Sequence, residues 1–171
     1  MPEQEDDMSR LAELTSTFPR TGRIEWIGLR GHRKSEMSVA LEAEVTLAGL
    51  AGDHARPGKR ALTLIQSEHL GVIAALSGLE RLGPEILRRN VVVSSINLTA
   101  LKGCELRLGT ATIRLTTVCA PCSRMETALG EGGYNAMRGH GGYCAEVLVP
   151  GRIAIGDALD PVVDDQDLAK L

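Results

Sequence analysis

Aromatic side chains are nearly missing from this chain. Phe18, Trp26, Tyr134 and Tyr143 are the full set, 2% of 171 residues. A core must therefore be aliphatic, and the base-stacking modes of single-stranded nucleic-acid binding lack their platforms. An excess of positive charge is missing too. Nineteen Lys and Arg face 22 Asp and Glu, a formal net charge of −3, so a general nucleic-acid or membrane-surface binder is not indicated. No apolar run approaches the ~18 residues that span a bilayer. The opening Met1-Pro-Glu-Gln-Glu-Asp-Asp7 is acidic and has no apolar stretch of a secretory leader. These absences point to a cytoplasmic protein that partners neither membrane nor nucleic acid.

What is present is an aliphatic, glycine-punctuated chain, 43% hydrophobic with 19 glycines. That is enough apolar surface for one folded domain. Residues 1–20 read as a partly mobile arm with a short helix at residues 9–14. Within the arm Leu11, Leu14 and Phe18 are spaced to share a helical face. Residues 21–162 read as the domain and 163–171 as a tail.

Short strands are expected at Arg23–Leu29, Val39–Leu47, Ala61–Ile65 and Val91–Ile96. Cys104, Leu106 and Leu108 alternate with polar residues, Gly109-Thr110 turns the chain, and alternation resumes at Ile113 and Leu115. Residues 144–149 and 152–155 read as a further strand pair around Pro150-Gly151. Ser67 is placed to cap a helix to Leu76, and Pro84 to open a short helix to Arg89. Many short strands with few helices predict a mostly β, barrel-like fold.

The candidate chemistry centres on cysteine. Cys119-Ala-Pro-Cys122 directly follows the strand ending at Val118, a rigid base for a projecting loop. Arg124 lies two residues on, and a cation beside a cysteine favours the thiolate, which both ligates metals and attacks electrophiles. Cys122, with Cys119, is the candidate reactive centre. Dithiol–disulfide chemistry of the thioredoxin kind needs a motif opening a long helix, which Gly130, Gly132 and Gly133 discourage. Cys119, Cys122, His140 and Cys144 also match a structural zinc set of three Cys and one His.

Cations gather at two strand entrances. His54, Arg56, Lys59 and Arg60 precede one strand; Arg88, Arg89 and Asn90 precede another. If the two share a mouth, they form an anion pocket for phosphate or a pterin-like ligand. The run Arg30-Gly-His-Arg-Lys34 reads as a solvated loop, and Asp53 and Asp157 as turn residues. Phosphate-binding glycine loops, dinucleotide fingerprints and serine nucleophile elbows are not found.

Taken in order, the motifs resemble the MOSC family, named for the C-terminal domain of molybdenum cofactor sulfurases. They are Gly49-Leu-Ala-Gly-Asp53; Arg60-Ala-Leu-Thr-Leu-Ile65 with Glu68; Arg88-Arg-Asn-Val91; Asn97-Leu98 with Leu101-Lys-Gly103; Leu108-Gly109; Cys119-Ala-Pro-Cys122; Gly141-Gly142; and Gly151-Arg-Ile-Ala-Ile-Gly-Asp157. The resemblance implies a barrel related to that of pyruvate kinase. It implies that Cys122 is the family cysteine, a molybdenum ligand in amidoxime-reducing members and a proposed sulfur carrier in others. Arg60, Arg88 and Asn90, with Lys59, Arg89 and Arg124 beside them, are then expected to bind molybdopterin. An electron-donor reductase or a cysteine desulfurase is the expected partner. The sulfurases' pyridoxal-phosphate domain has no counterpart here, and Lys34, Lys59, Lys102 and Lys170 show no Schiff-base setting. Pyridoxal phosphate would enter only through a partner enzyme.

Overall fold

The computed structural model describes residues 2–162, with side chains from Asp7 onward; the expected tail at 163–171 lies outside them. Among the described residues, eleven strands form two sheets. They are β1 (Gly22–Leu29), β2 (Ser38–Ala40), β3 (Glu42–Thr46), β4 (Gly49–Leu50), β5 (Leu62–Gln66), β6 (Val91–Ser94), β7 (Glu105–Leu108), β8 (Ala111–Val118), β9 (Tyr143–Val149), β10 (Gly151–Ala154) and β11 (Ala158–Pro161). The helices are α1 (Pro2–Ser16), α2 (Ser67–Leu76), α3 (Pro84–Leu87), α4 (Ser123–Leu129) and α5 (Gly133–Met137).

The larger sheet runs β11-β7-β8-β9-β5-β6-β1-β2, and a pairing of β1 with β11 closes its first seven strands into a barrel. Closure removes the sheet edges that would otherwise template pairing with other chains. β2 continues beyond the closure, and β10-β3-β4 form a small second sheet. The hairpin is found where alternation places it, with Leu108 opposite Ala111 and Leu106 opposite Ile113.

Burial explains which strands alternate and which do not. Leu62, Leu64, Val91, Val93, Leu106, Leu108, Ile113 and Leu115 fill the barrel. Ile65 and Val92 point the other way, into a second cluster with Ile73, Leu87, Met125, Leu129 and Met137. β5 and β6 are thus covered on both faces, by the barrel interior and by helices, and read as unbroken apolar runs. They pair in parallel, Leu64 beside Val91, which requires the crossover that α2 and α3 provide.

Several local expectations are corrected. α1 extends over fifteen residues, well beyond residues 9–14. Phe18 packs on the barrel core, whereas Leu11 and Leu14 are exposed. The residue before α2 is Gln66, and no side chain caps that helix; Ser67 instead donates to Glu68 at 3.3 Å. The strand expected over residues 39–47 breaks at Leu41. β9 and β10 both exist but do not pair with each other. β9 pairs with β5 and β8, and β10 with β3, because Pro150 lies where the chain passes from one sheet to the other. The helix from Pro84 stops at Leu87, where Arg88 turns left-handed at φ 58°.

Candidate functional site

Cys122 sits in extended backbone immediately before α4, and it is exposed. Arg88 lies within electrostatic reach of Cys122, and Arg124 and Arg30 lie within reach of Arg88, so that three parts of the chain meet there. Arg124 comes from the first turn of α4, Arg88 from the end of α3, and Arg30 from the end of β1. Burial, then the guanidiniums of Arg124 and Arg30, lower the Arg88 pKa; Asp53 and Cys122 pull it the other way. Like charges have therefore been brought together beside a thiol, which is costly unless something anionic compensates them.

Each cation is held differently. Arg30 lies over Asp53, whose side chain is fully buried. One Asp53 oxygen accepts the Arg30 backbone N–H at 2.6 Å, and both oxygens accept from its guanidinium at 3.4 Å. Arg88 donates to the carbonyls of Ser35 at 2.7 Å and Arg33 at 3.2 Å, which costs it no charge. Its backbone conformation is one that non-glycine residues adopt at a cost. Among the described residues, Arg30 has a carboxylate within ion-pair distance, but Arg88 and Arg124 do not.

The neighbours of Arg88 in sequence do something else. Arg89 is buried. It donates to the carbonyls of Gly141 at 2.7 Å, Leu87 at 2.9 Å and Cys119 at 3.1 Å. Asn90 is buried too; its Oδ1 accepts from the Thr63 N–H at 3.2 Å and hydroxyl at 3.0 Å, and its Nδ2 donates to Gly28 at 3.2 Å. Both were expected to grip the cofactor. Their polar groups are instead spent on backbone and on Thr63, tying β1, β5, β6 and the cysteine loop together.

Arg60 is not among the charges that act on Arg88. The Cys119 thiol first, and the Arg60 guanidinium after it, hold Cys144 below the usual thiol range. Lys59 is exposed, with its carbonyl accepting from Thr116 at 2.5 Å. His54 and Arg56 are exposed as well, and the His54 N–H donates to the Arg30 carbonyl at 2.5 Å. The four-ligand zinc set is not assembled. Cys122 belongs with the arginines, Cys119 with Cys144, and His140 stacks edge-on against His69 with ring centroids 5.2 Å apart. Among the described residues no three His, Cys, Asp or Glu side chains converge as a metal group.

Two participants escape the sequence reading. The loop after Arg30 reads as solvated, yet its carbonyls at Arg33 and Ser35 orient Arg88. Asp53 reads as a turn residue, yet it serves an arginine 23 positions away. The available hint was that Arg30 follows a strand end, as Cys122 does.

The histidine pair carries a pH signature. His69 is held below its ordinary pKa by burial first and then by His140. Its unfolded form takes up a proton near pH 6.5, where the folded form resists, so stability falls as pH drops below that range. The melting temperature is expected to decline between pH 7.5 and pH 5.5, and His69→Gln to flatten the decline. Parallel curves for the two proteins would remove His69 as the cause.

Among the described residues, no helix is long and apolar enough to cross a membrane. No curated protein matches the chain. The solved structure of YUAD from Bacillus subtilis is similar, with a TM-score of 0.71 at 20% identity, covering 82% of this chain and 94% of that one. YiiM from Escherichia coli gives a TM-score of 0.68 at 20% identity, covering 85% and 71%. YiiM from Geobacillus stearothermophilus gives 0.69 at 18%, covering 83% and 75%. These likenesses concern the fold. The family model for the MOSC domain matches residues 48–160, which takes in the Asp53 loop, Arg88, Cys122 and Arg124, and the chain belongs to the MOSC domain family.

Proposed function

We propose that this protein binds a molybdenum cofactor, with the Cys122 thiolate ligating the metal and Arg30, Arg88 and Arg124 receiving the pterin phosphate. One observation carries the reading: an exposed cysteine lies within electrostatic reach of Arg88, which also feels Arg124 and Arg30, and Arg88 and Arg124 have no carboxylate partner among the described residues. The donor set fits the group. A thiolate is a soft ligand suited to a redox metal, and guanidinium forks match phosphate oxygens. Molybdopterin brings both a metal and a phosphate.

The protein's own residues prepare the site. Asp53 fixes Arg30 from beneath, and the Ser35 and Arg33 carbonyls aim Arg88, so little side-chain freedom is left to lose on binding. Arg89 holds the Cys119 carbonyl and thereby the base of the loop that carries Cys122. When bound, the cofactor would supply two-electron chemistry with oxygen-atom transfer. The expected reaction is reduction of N-hydroxylated compounds with electrons from a separate reductase.

The exposure of Cys122 also supports a second reading. A sulfur open to solvent can be met by a pyridoxal-phosphate cysteine desulfurase, take a persulfide sulfur from it, and pass it to a metal cofactor. One preparation separates the two. Protein made in a host that synthesises the cofactor is expected to hold molybdenum at a sizeable fraction of one per chain. A Cys122 carrying one extra, cyanide-labile sulfur atom without molybdenum would select sulfur carriage. Neither modification nor metal would sink both readings.

A further inference from the structure

We propose that α1 docks on a second copy of this chain, with Met8, Leu11 and Leu14 against an apolar strip at Trp26 and Val39, so that two copies exchange helices in a reciprocal dimer.

In its own chain α1 lies against nothing. Every residue from Asp7 to Thr17 is exposed. Met8, Leu11 and Leu14 are each more than half exposed, and their spacing gathers them on one side of the helix. A helix of fifteen residues without tertiary packing is marginal in water, because helical stability comes mostly from burying such a face. The chain is tied down past the end of the helix, where Phe18 packs on the barrel core.

The strip lies on the outer face of β1 and β2. Ile27 points into the barrel, so Trp26 and Gly28 face outward. Gly28 pairs with Val39, and directly opposed residues share a face. A Cβ at Gly28 would collide with the Trp26 ring and the Met37 methyl. Glycine there lets both lie over the backbone, beside Val39. Val39 and Leu41 are more than half exposed, and β2 is the strand that barrel closure leaves over.

Charge selects the occupant. α1 holds five carboxylates and one arginine, so two α1 helices repel each other. The loop entering β2 carries exposed Arg33 and Lys34. Neither has a carboxylate within ion-pair distance among the described residues. An acidic apolar helix and a basic-edged apolar strip are complementary, and one chain carries both. Within that chain they are far apart. α1 joins the barrel at the Gly22 end of β1, and Val39 pairs six residues further along it, about 20 Å away. Between copies the exchange is mutual. Each gives one helix and receives one, so the contact closes as a two-fold dimer and does not run on as a filament. The received helix would lie beside the loop whose Ser35 carbonyl holds Arg88.

Sedimentation velocity of the full chain tests this, with emission from Trp26, the single tryptophan, as the local readout. The expected result is a dimer at low salt that dissociates on dilution, with Trp26 emission moving to longer wavelength as it does. Leu11→Asp/Leu14→Asp and Val39→Asp should each give monomers; all three positions are exposed, so folding is not at stake. Arg33→Glu/Lys34→Glu should weaken the dimer about tenfold or more. Adding Asp7→Lys/Glu13→Lys to that same chain should restore it. A wild-type chain that stays monomeric, a dimer that survives Leu11→Asp/Leu14→Asp, Trp26 emission that ignores dissociation, or charge reversals that do not rescue one another would each overturn the proposal.

Discussion

Arg89→Met is expected to destabilise the protein by about 3–5 kcal/mol, the range for breaking a buried, fully hydrogen-bonded charge. Arg89 is 6% exposed, and its guanidinium serves three carbonyls, on Leu87, Cys119 and Gly141. Methionine fills much of the same space but donates to none of them. Each carbonyl left without a donor in the interior costs about 1–3 kcal/mol, partly recovered where water enters. A domain of this size has roughly 5–15 kcal/mol in hand, so the loss is a large share. At about 2–4 °C per kcal/mol, the melting temperature should fall by roughly 10 °C. Arg89→Lys should rescue little, because one ammonium cannot span three carbonyls set in a fork. Arg88→Ala is the control. Arg88 is half-buried and bonds only two carbonyls of a surface loop, so its removal should cost below about 1 kcal/mol. Equal melting temperatures for Arg89→Met and Arg88→Ala would mean that Arg89 is not the clamp described.

The contrast between those adjacent arginines marks where a sequence stops being readable. Both sit in one short motif, and nothing in the residue types separates them. A left-handed backbone at Arg88 turns one side chain towards Cys122 and the next into the interior. That turn follows from the end of α3, not from any local pattern. The hairpin around Gly109-Thr110 was legible because a period of two with a turn pair is a local signal. The β-barrel was legible from the number of short strands, and the family from motifs in order. The partner of β10 was not, since Pro150-Gly151 joins two sheets and resembles a hairpin turn on paper. Cys144 was visible as a cysteine at zinc-like spacing. Only the register of β8 against β9 makes it the neighbour of Cys119. Asp53 under Arg30 was hidden for the same reason, a contact between distant residues with no repeating pattern behind it.

Cys122→Ser is expected to reduce molybdenum in the purified protein to background, the largest effect of any single change at the site. Serine differs by one atom, so the backbone before α4 and the exposed position are kept. The change is in ligand chemistry: a hydroxyl stays protonated near neutral pH and is a hard donor, whereas a thiolate is a soft one. Loss of one cation should cost less. Arg88 shares its surroundings with Cys122, Arg124 and Arg30, and a charge-assisted hydrogen bond is worth about 1.5–3 kcal/mol. Arg88→Ala should therefore lower retention about tenfold or more and leave a measurable remnant. The two variants are best read together, as molybdenum per chain beside melting temperature. Undiminished metal in Cys122→Ser would remove the cysteine as its ligand. A loss matched by a lowered melting temperature would assign the effect to folding. Metal lost from the serine variant at an unchanged melting temperature, with an intermediate level in Arg88→Ala, is the pattern that places the metal on the sulfur and the phosphate on the arginines.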